Sequence, residues 1–211
     1  MTDRLEVHQP YVDRLQQHEA DMMGIYIFLA TEMMLFGGLF IVAYVLRIQH
    51  PRDYIEASKH LHIWFGTINT AVLLTSSLAV ALGVQMVRAG RDRQAAFCLL
   101  VAAVLGLAFL AIKTMEYATE YGEGLLPIPG AAPQFASPAE HQFMDLYLIA
   151  TMLHAVHLSI GILLLAGVAA SLLRPAWRAP NQAVTVAVSG IYWHFVDVIW
   201  VFLYPALYLA R

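Results

Sequence analysis

The first long apolar stretch of the chain runs from Met22 to Leu46 and reads MMGIYIFLATEMMLFGGLFIVAYVL. At about 1.5 Å of rise per residue, a helix of this length crosses a bilayer core that is about 30 Å thick. Glu32 is the one charged residue in the stretch. The stretch therefore predicts a membrane-spanning helix with a carboxyl group near its middle.

Four further stretches of the chain have a similar length and apolar character. The five predicted spans are Met22 to Leu46, Ile63 to Val87, Ala95 to Tyr117, Phe143 to Leu173 and Ala183 to Ala210. The composition agrees, because 60% of the residues are hydrophobic and 13% charged, against about 45–50% and about 25% in ordinary globular chains. We expect an all-α membrane protein, with one five-helix domain over residues 22–210 and a polar N-terminal arm over residues 1–21.

Charge, cysteine content and motifs exclude several classes of protein. The net charge of −3 and the isoelectric point near 6.3 provide no basic surface for a nucleic-acid backbone, so no nucleic-acid partner is expected. The one cysteine, Cys98, excludes an intramolecular disulfide and every metal site built from several cysteines. Sequence motifs for phosphate loops, serine-hydrolase elbows, HEXXH zinc sites and dinucleotide turns do not occur.

Arginines are concentrated on one side of the predicted spans. The N-terminal arm and the turns Arg88–Arg93 and Arg174–Arg178 carry seven of them, and the positive-inside rule assigns this side to the cytoplasm. The N-terminus is therefore expected to be cytoplasmic and the C-terminus outside. On the outer side, we expect the Gly- and Pro-rich loop Thr119–His141 to be irregular and Tyr204 and Tyr208 to lie in an interfacial belt.

Glu32 lies roughly 15 Å from the inner start of the first span, close to the midplane of the membrane. No Lys or Arg stands within four residues of it on its own helix. An ionised side chain is costly at this depth, so the carboxyl is expected to be protonated, hydrogen-bonded to a neighbouring span or next to internal water. A structural hydrogen bond and a proton-linked role both fit this position.

Two pairs of polar residues fall near the middle of the last two spans. His154 and His157 share one face of the fourth span, and His194 and Asp197 share one face of the fifth, so the two faces could converge on Glu32. Imidazole can bind haem iron or copper, but it also serves as a hydrogen-bonding group between membrane helices. The spacing does not separate these roles, and we favour the second, with no metal bound by this chain.

Lys113 and Glu116 are three residues apart near the outer end of the third span, and Asp145 opens the fourth span on the same side. These positions predict a salt-bridge cluster at the outer interface, for which a structural role is the simplest interpretation. Ionisable helix faces without ligand chemistry of their own indicate a subunit of a larger assembly.

Several motifs resemble those of subunit III of the haem–copper terminal oxidases. The most specific is YWHFVDVIW at residues 192–200, which is followed by FLY at residues 202–204. The other matching motifs, in the order of the family, are FLATEMMLF at 28–36, NTAVLLTSS at 69–77, Glu116-Tyr117 and His154-Ala155-Val156-His157. The chain is similar to the five-span form of the family, which lacks the first two spans of larger members. It departs from the family at Ala155, where Gly is usual.

The resemblance implies a subunit that holds neither haem nor copper, since both lie in partner subunits. Such a subunit packs directly on the catalytic subunit I, in a complex with subunit II and other chains. The whole complex serves aerobic respiration, reducing dioxygen to water and moving protons outward across, we expect, a bacterial inner membrane. Subunit III is expected to sustain proton uptake and to stabilise the catalytic core.

The resemblance also implies roles for individual residues. Glu32 matches the family carboxylate, and we expect His157 to be its partner, with His154 next in line. Cytochrome c is the expected electron donor. The alternatives are subunit III of a quinol oxidase, an accessory subunit of a nitric oxide reductase and an independent proton transporter. Whether a structural phospholipid occupies the place of the two missing helices is left open.

Overall fold

The computed structural model describes residues 14–125, 137–174 and 182–210, with side chains from Met23 onward. Within these ranges the secondary structure is helical. The helices are α1 (Arg14–Gln49), α2 (Pro51–His60), α3 (Ile63–Arg88), α4 (Asp92–Gly122), α5 (Pro138–Leu173) and α6 (Gln182–Tyr208). The chain divides into two compact units, one ending at Leu35 and the other beginning at Phe36.

Five of the helices are long and apolar enough to cross a membrane, which confirms the predicted all-α fold with five spans. The candidate spans are Met23–Gln49, Ile63–Arg88, Asp92–Gly122, Pro138–Leu173 and Gln182–Tyr208. Residues 1–13 of the predicted N-terminal arm lie outside the described residues, and α1 already begins at Arg14.

The loop predicted over Thr119–His141 is shorter than expected, because α4 and α5 both continue into it. At one end, Gly124 adopts a left-handed φ of 69° just after α4, a conformation that favours glycine at the end of a helix. At the other end, Ser137 caps α5, and its Oγ accepts a hydrogen bond from the Ala139 amide at 3.2 Å. Residues 126–136 of this loop lie outside the described ranges.

Helices α3–α6 form a four-helix bundle within the second unit. Helix α3 packs on α4 and α6, and α5 packs on the same two helices, which closes the ring. The turn between α3 and α4 spans only residues 89–91, so two helices that pack side by side across it run antiparallel, and Gly90 in this turn has a φ of 71°. Across this pair, the buried Ser76 hydroxyl donates to the Ala102 carbonyl oxygen at 3.1 Å.

Trp193 of α6 lies at the centre of this bundle and is fully buried. A Cβ atom added at Gly106 of α4 would stand 2.8 Å from its Cη2, and one added at Gly161 of α5 would stand 3.0 Å from its Cε3. Both distances are shorter than an ordinary carbon–carbon contact. The two glycines therefore leave the room that the indole ring occupies between α4 and α5.

Helix α2 is not predicted from the sequence, because its ten residues are mostly polar and resemble a connection between two spans. Its buried face holds Tyr54, Ala57 and Ser58. The Tyr54 hydroxyl donates to the Ala206 carbonyl at 2.9 Å, and the Ser58 hydroxyl donates to the Leu207 carbonyl at 2.8 Å. Because the last carbonyls of a helix have no partners within it, α2 caps the C-terminal end of α6.

Replacing Tyr54 with phenylalanine is expected to cost about 1 kcal/mol of stability, because the Ala206 carbonyl then loses its donor. Burial raises the pKa of Tyr54 from 10.0 to about 12, so its neutral form is favoured in the folded protein. This contribution is present below pH 10 and is lost as the pH rises through 12. Thermal unfolding in mild detergent at several pH values measures it. The exposed Tyr44→Phe variant is the control, and equal alkaline destabilisation of wild type and Y54F would contradict the assignment.

Candidate functional site

Glu32 stands on α1, the tenth residue of the span that begins at Met23, and its side chain is partly exposed. At the rise of a helix this puts it roughly 14 Å from the start of the span. It belongs to the unit that ends at Leu35, whereas His154 and His157 belong to the second unit. The partnership of Glu32 with His157 therefore stays a prediction.

His154 is fully buried in the four-helix bundle. The centroid of its ring lies 5.6 Å from that of Phe109 on α4 and 5.1 Å from that of Trp200 on α6. Within the described part of the chain, neither of its ring nitrogens has a hydrogen-bond partner. His154 is thus packed as an aromatic ring among other aromatic rings.

His157 is held by hydrogen bonds at its ring and its backbone. Its Nδ1 donates to the Leu153 carbonyl at 2.8 Å, and its own carbonyl accepts from the Tyr192 hydroxyl at 3.0 Å. The ring of Phe36, on the part of α1 that belongs to the second unit, lies 5.3 Å away between centroids. Because Nδ1 is engaged with a carbonyl, the orientation of the imidazole is fixed.

The pair His194 and Asp197 lies on α6. His194 contacts α3, whereas the ring of His154 packs against α4 and α6. The His194 Nδ1 and the Ser77 Oγ of α3 are 2.6 Å apart. Asp197 is buried, and among the described residues neither oxygen of its carboxylate has a hydrogen-bond partner. In the described ranges, no three His, Cys, Asp or Glu side chains are grouped as ligands of one metal ion.

The most developed polar arrangement of the bundle surrounds Lys113, and we call its five members, Lys113, Glu116, Glu120, Tyr147 and Tyr208, the Lys113 cluster. Lys113 is 2% exposed and both carboxylates are 0% exposed. The ammonium donates to Glu116 Oε2 at 2.8 Å, to the Tyr147 hydroxyl at 2.9 Å and to the Tyr208 hydroxyl. All three of its hydrogens are therefore used.

The two tyrosines of the Lys113 cluster connect the ammonium to the carboxylates. Tyr147 donates to Glu120 Oε1 at 2.8 Å, and Tyr208 donates to Glu116 Oε1 at 2.7 Å. Four aromatic rings stand around the cation, with centroids 4.7 to 5.5 Å from Nζ, namely those of Tyr117, Tyr147, Trp200 and Tyr208. Such rings attract a cation through their negative faces, and desolvation strengthens the attraction.

The Lys113 cluster differs in membership from the cluster predicted from the sequence. Asp145 is exposed and lies outside it, whereas Glu120, expected in a loop, is buried on the last turn of α4. Asp145 and Tyr147 are two residues apart, about 200° around a helix, so only one of them can face α4. The spacing of Lys113, Glu116 and Glu120, at i, i+3 and i+7, was the available signal for one shared face.

The prediction of an interfacial belt is wrong for Tyr208, which is buried inside the bundle. Its hydroxyl accepts from the Lys113 ammonium and donates to Glu116. A tyrosine near a helix end can therefore face the interior when a buried cation needs an acceptor. Tyr204 is half-buried, and its hydroxyl and the Thr67 hydroxyl of α3 are 2.7 Å apart.

Five helices long and apolar enough to cross a membrane, with the ion pair of Lys113 and Glu116 buried in the bundle, define an integral membrane protein. Comparison with known proteins gives its family. The chain belongs to the cytochrome c oxidase subunit III family, whose family model matches residues 15–210. The resemblance that the motifs carry is thereby confirmed, and the protein is a haem–copper oxidase subunit III and part of an oxidoreductase complex.

Curated relatives cover nearly the whole chain. It is 32% identical over 199 residues to the cytochrome c oxidase subunit 3 of Thermostichus vulcanus, an alignment that spans 94% of this chain and 92% of that protein. It is 28% identical over 200 residues to a probable quinol oxidase subunit 3 of Staphylococcus haemolyticus, over 93% of this chain and 92% of the relative. A probable quinol oxidase subunit 3 of Staphylococcus aureus is 28% identical over 198 residues.

Proposed function

We propose that this chain is subunit III of a cytochrome c oxidase in a bacterial inner membrane. In that complex it packs directly on the catalytic subunit I, next to subunit II, and supports both proton uptake and the stability of the catalytic core. The observation that carries the choice of cytochrome c is the 32% identity with a cytochrome c oxidase subunit 3 across 94% of the chain. Both of the quinol oxidase relatives described above are less similar, at 28% identity.

Helix α1 supports the proposed packing on another subunit. Of the five spans it has the smallest share of residues buried within this chain, and large apolar side chains such as Met34, Ile41 and Tyr44 are exposed along it. Lipid or protein must cover such a surface in a membrane. A partner subunit would also shelter the carboxyl of Glu32, which is expensive to expose to hydrocarbon.

The proposed proton-linked role rests on Glu32, and Glu32→Gln tests it. This substitution keeps the shape of the side chain and removes its exchangeable carboxyl proton. The oxidase should assemble normally, because size and hydrogen bonding are largely kept, but it should inactivate severalfold sooner during turnover. The experiment counts turnovers before inactivation and measures proton uptake in reconstituted vesicles. Glu56→Gln on α2, whose side chain is 59% exposed, is the matched control, and an unchanged lifetime together with unchanged uptake in E32Q would refute the role.

We further propose that the haem and copper of the complex are bound by partner subunits. The surroundings of two histidines support this, because the buried His154 packs against Phe109 and Trp200 while the half-buried His194 is hydrogen-bonded to Ser77. An optical spectrum of the complex in mild detergent should contain haem bands, and these bands should leave with the partner chains when the subunits are separated. Haem or copper that stays with the isolated chain would contradict the proposal.

A quinol oxidase is the second candidate, and the two relatives at 28% identity favour it. The electron donor docks on other subunits, so the purified complex must decide between the two. Oxidation of reduced cytochrome c, with little oxidation of a quinol, is the expected result. The opposite preference would assign the chain to a quinol oxidase and leave its family unchanged.

A further inference from the structure

The formal charges of the Lys113 cluster do not balance. The cluster contains one ammonium and two carboxyl groups, all buried between membrane-spanning helices. With every group ionised, it would carry one uncompensated negative charge. An uncompensated buried charge is strongly disfavoured, and a buried carboxyl avoids this cost by taking up a proton.

The hydrogen bonds indicate which carboxyl holds that proton. Both oxygens of Glu116 accept from donors, Oε2 from the Lys113 ammonium and Oε1 from the Tyr208 hydroxyl. Such a pattern stabilises the ionised form of a carboxylate. Glu120 accepts from Tyr147 at Oε1, whereas its Oε2 is buried and has no hydrogen-bond partner among the residues described. A proton bound to Oε2 of Glu120 therefore disrupts no hydrogen bond of the cluster.

We propose that the Lys113 cluster is a proton-binding site in which Glu120 holds one proton as a neutral carboxylic acid. Oε1 is then the carbonyl oxygen that accepts from Tyr147, and Oε2 carries the proton. With Lys113 positive and Glu116 negative, the buried cluster is electrically neutral. Its members belong to α4, α5 and α6, and the proposal does not depend on the role proposed for Glu32 of α1.

Few other titratable groups lie near enough to Glu120 to change the net charge of the Lys113 cluster. Among the described residues, the titratable groups that face it are Lys113, Glu116 and Tyr117 of α4, Glu123 just beyond α4, Tyr147 of α5 and, through the cation, Tyr208 of α6. Glu123 is half-exposed, one turn beyond Glu120, and its Oε1 lies 3.8 Å from His62 Nε2. Glu123 therefore differs from Glu120 in being exposed, although the two carboxyl groups are three residues apart.

Infrared spectroscopy of the assembled oxidase tests the proposal, because a protonated carboxyl has a carbonyl stretching band that ionised carboxylates lack. At neutral pH, the difference spectrum between wild type and Glu120→Gln should show the loss of one such band per complex, with the usual downshift of that band in heavy water. Glu123→Gln, just beyond the end of the same helix, is the matched control and should retain the band. Glu32→Gln should retain it too, so failure of this proposal and failure of the Glu32 role are distinguishable.

Two further sets of variants test the charge count and the position of the proton. Lys113→Met removes the positive charge, so the cluster should take up a second proton and gain one band. Tyr147→Phe removes the donor to the Glu120 carbonyl and should shift the wild-type band to higher frequency, whereas Tyr208→Phe should leave the band in place. A spectrum of E120Q identical to wild type would overturn the proton-binding site. A shift in Y208F with none in Y147F would overturn its assignment to Glu120.

Discussion

Replacing Lys113 with methionine is expected to lower the free energy of unfolding by roughly 3–5 kcal/mol, the usual cost of removing one partner of a buried ion pair. Methionine keeps most of the volume of the side chain but donates no hydrogen bonds. Glu116 then loses its counter-charge and must bind a proton to remain buried, and the hydroxyls of Tyr147 and Tyr208 lose a shared donor. Unfolding of the purified chain from mild detergent into denaturing detergent measures the change.

Lys59→Met is the matched control for this substitution. Lys59 also pairs with a glutamate three residues away, at 2.8 Å from Glu56, but the two side chains are 50% and 59% exposed. Exposed pairs of this kind contribute about 0–1 kcal/mol. Equal losses in the two variants would show that burial does not strengthen the dependence of the fold on Lys113.

Replacing Trp193 with alanine should cost roughly 3–5 kcal/mol, the range found when large buried aromatic side chains are truncated. The indole contacts α4 and α5 at the two glycines, and neither Gly106 nor Gly161 has a side chain that could fill the resulting space. In a bilayer, close packing is a principal force between helices. A cavity at this position therefore weakens the packing among α4, α5 and α6.

Trp64→Ala is the control for the tryptophan substitution, because Trp64 is 80% exposed and Trp193 is 0% exposed. Its loss should change the unfolding free energy by less than about 1 kcal/mol. Thermal unfolding of both variants in the same detergent compares them. A W193A protein as stable as W64A would mean that the bundle collapses around the missing ring.

The number and position of the spans could be predicted because their signal is long and local. About 20 consecutive apolar residues define a spanning helix whatever the rest of the chain does. Helix α2 has no such signal, since its ten residues are mainly polar and its buried face is completed by the end of α6. Its role therefore depends on a contact between distant parts of the sequence.

The members of the buried site were harder to predict, because depth in the membrane can be counted along a helix but its rotation cannot. Asp145 was placed at the correct end of α5, yet the structure turns Tyr147 towards Lys113 instead. The two histidine-containing pairs were likewise placed at similar depths, whereas His154 contacts Trp200 and Phe109 and His194 contacts Ser77. The direction in which a side chain points is set by the neighbouring helix that supplies its partner. A single sequence does not say which helix that is.

The hydroxyls of α2 that cap α6 join residues 152 and 149 positions apart. A polypeptide is synthesised from its N-terminus, so Tyr54 and Ser58 are made long before Ala206 and Leu207, their acceptors. The two hydroxyls have no access to these acceptors until α6 has been made and has inserted. Docking of α2 on α6 is therefore a late event of folding, which follows the insertion of every span that lies between them in the sequence.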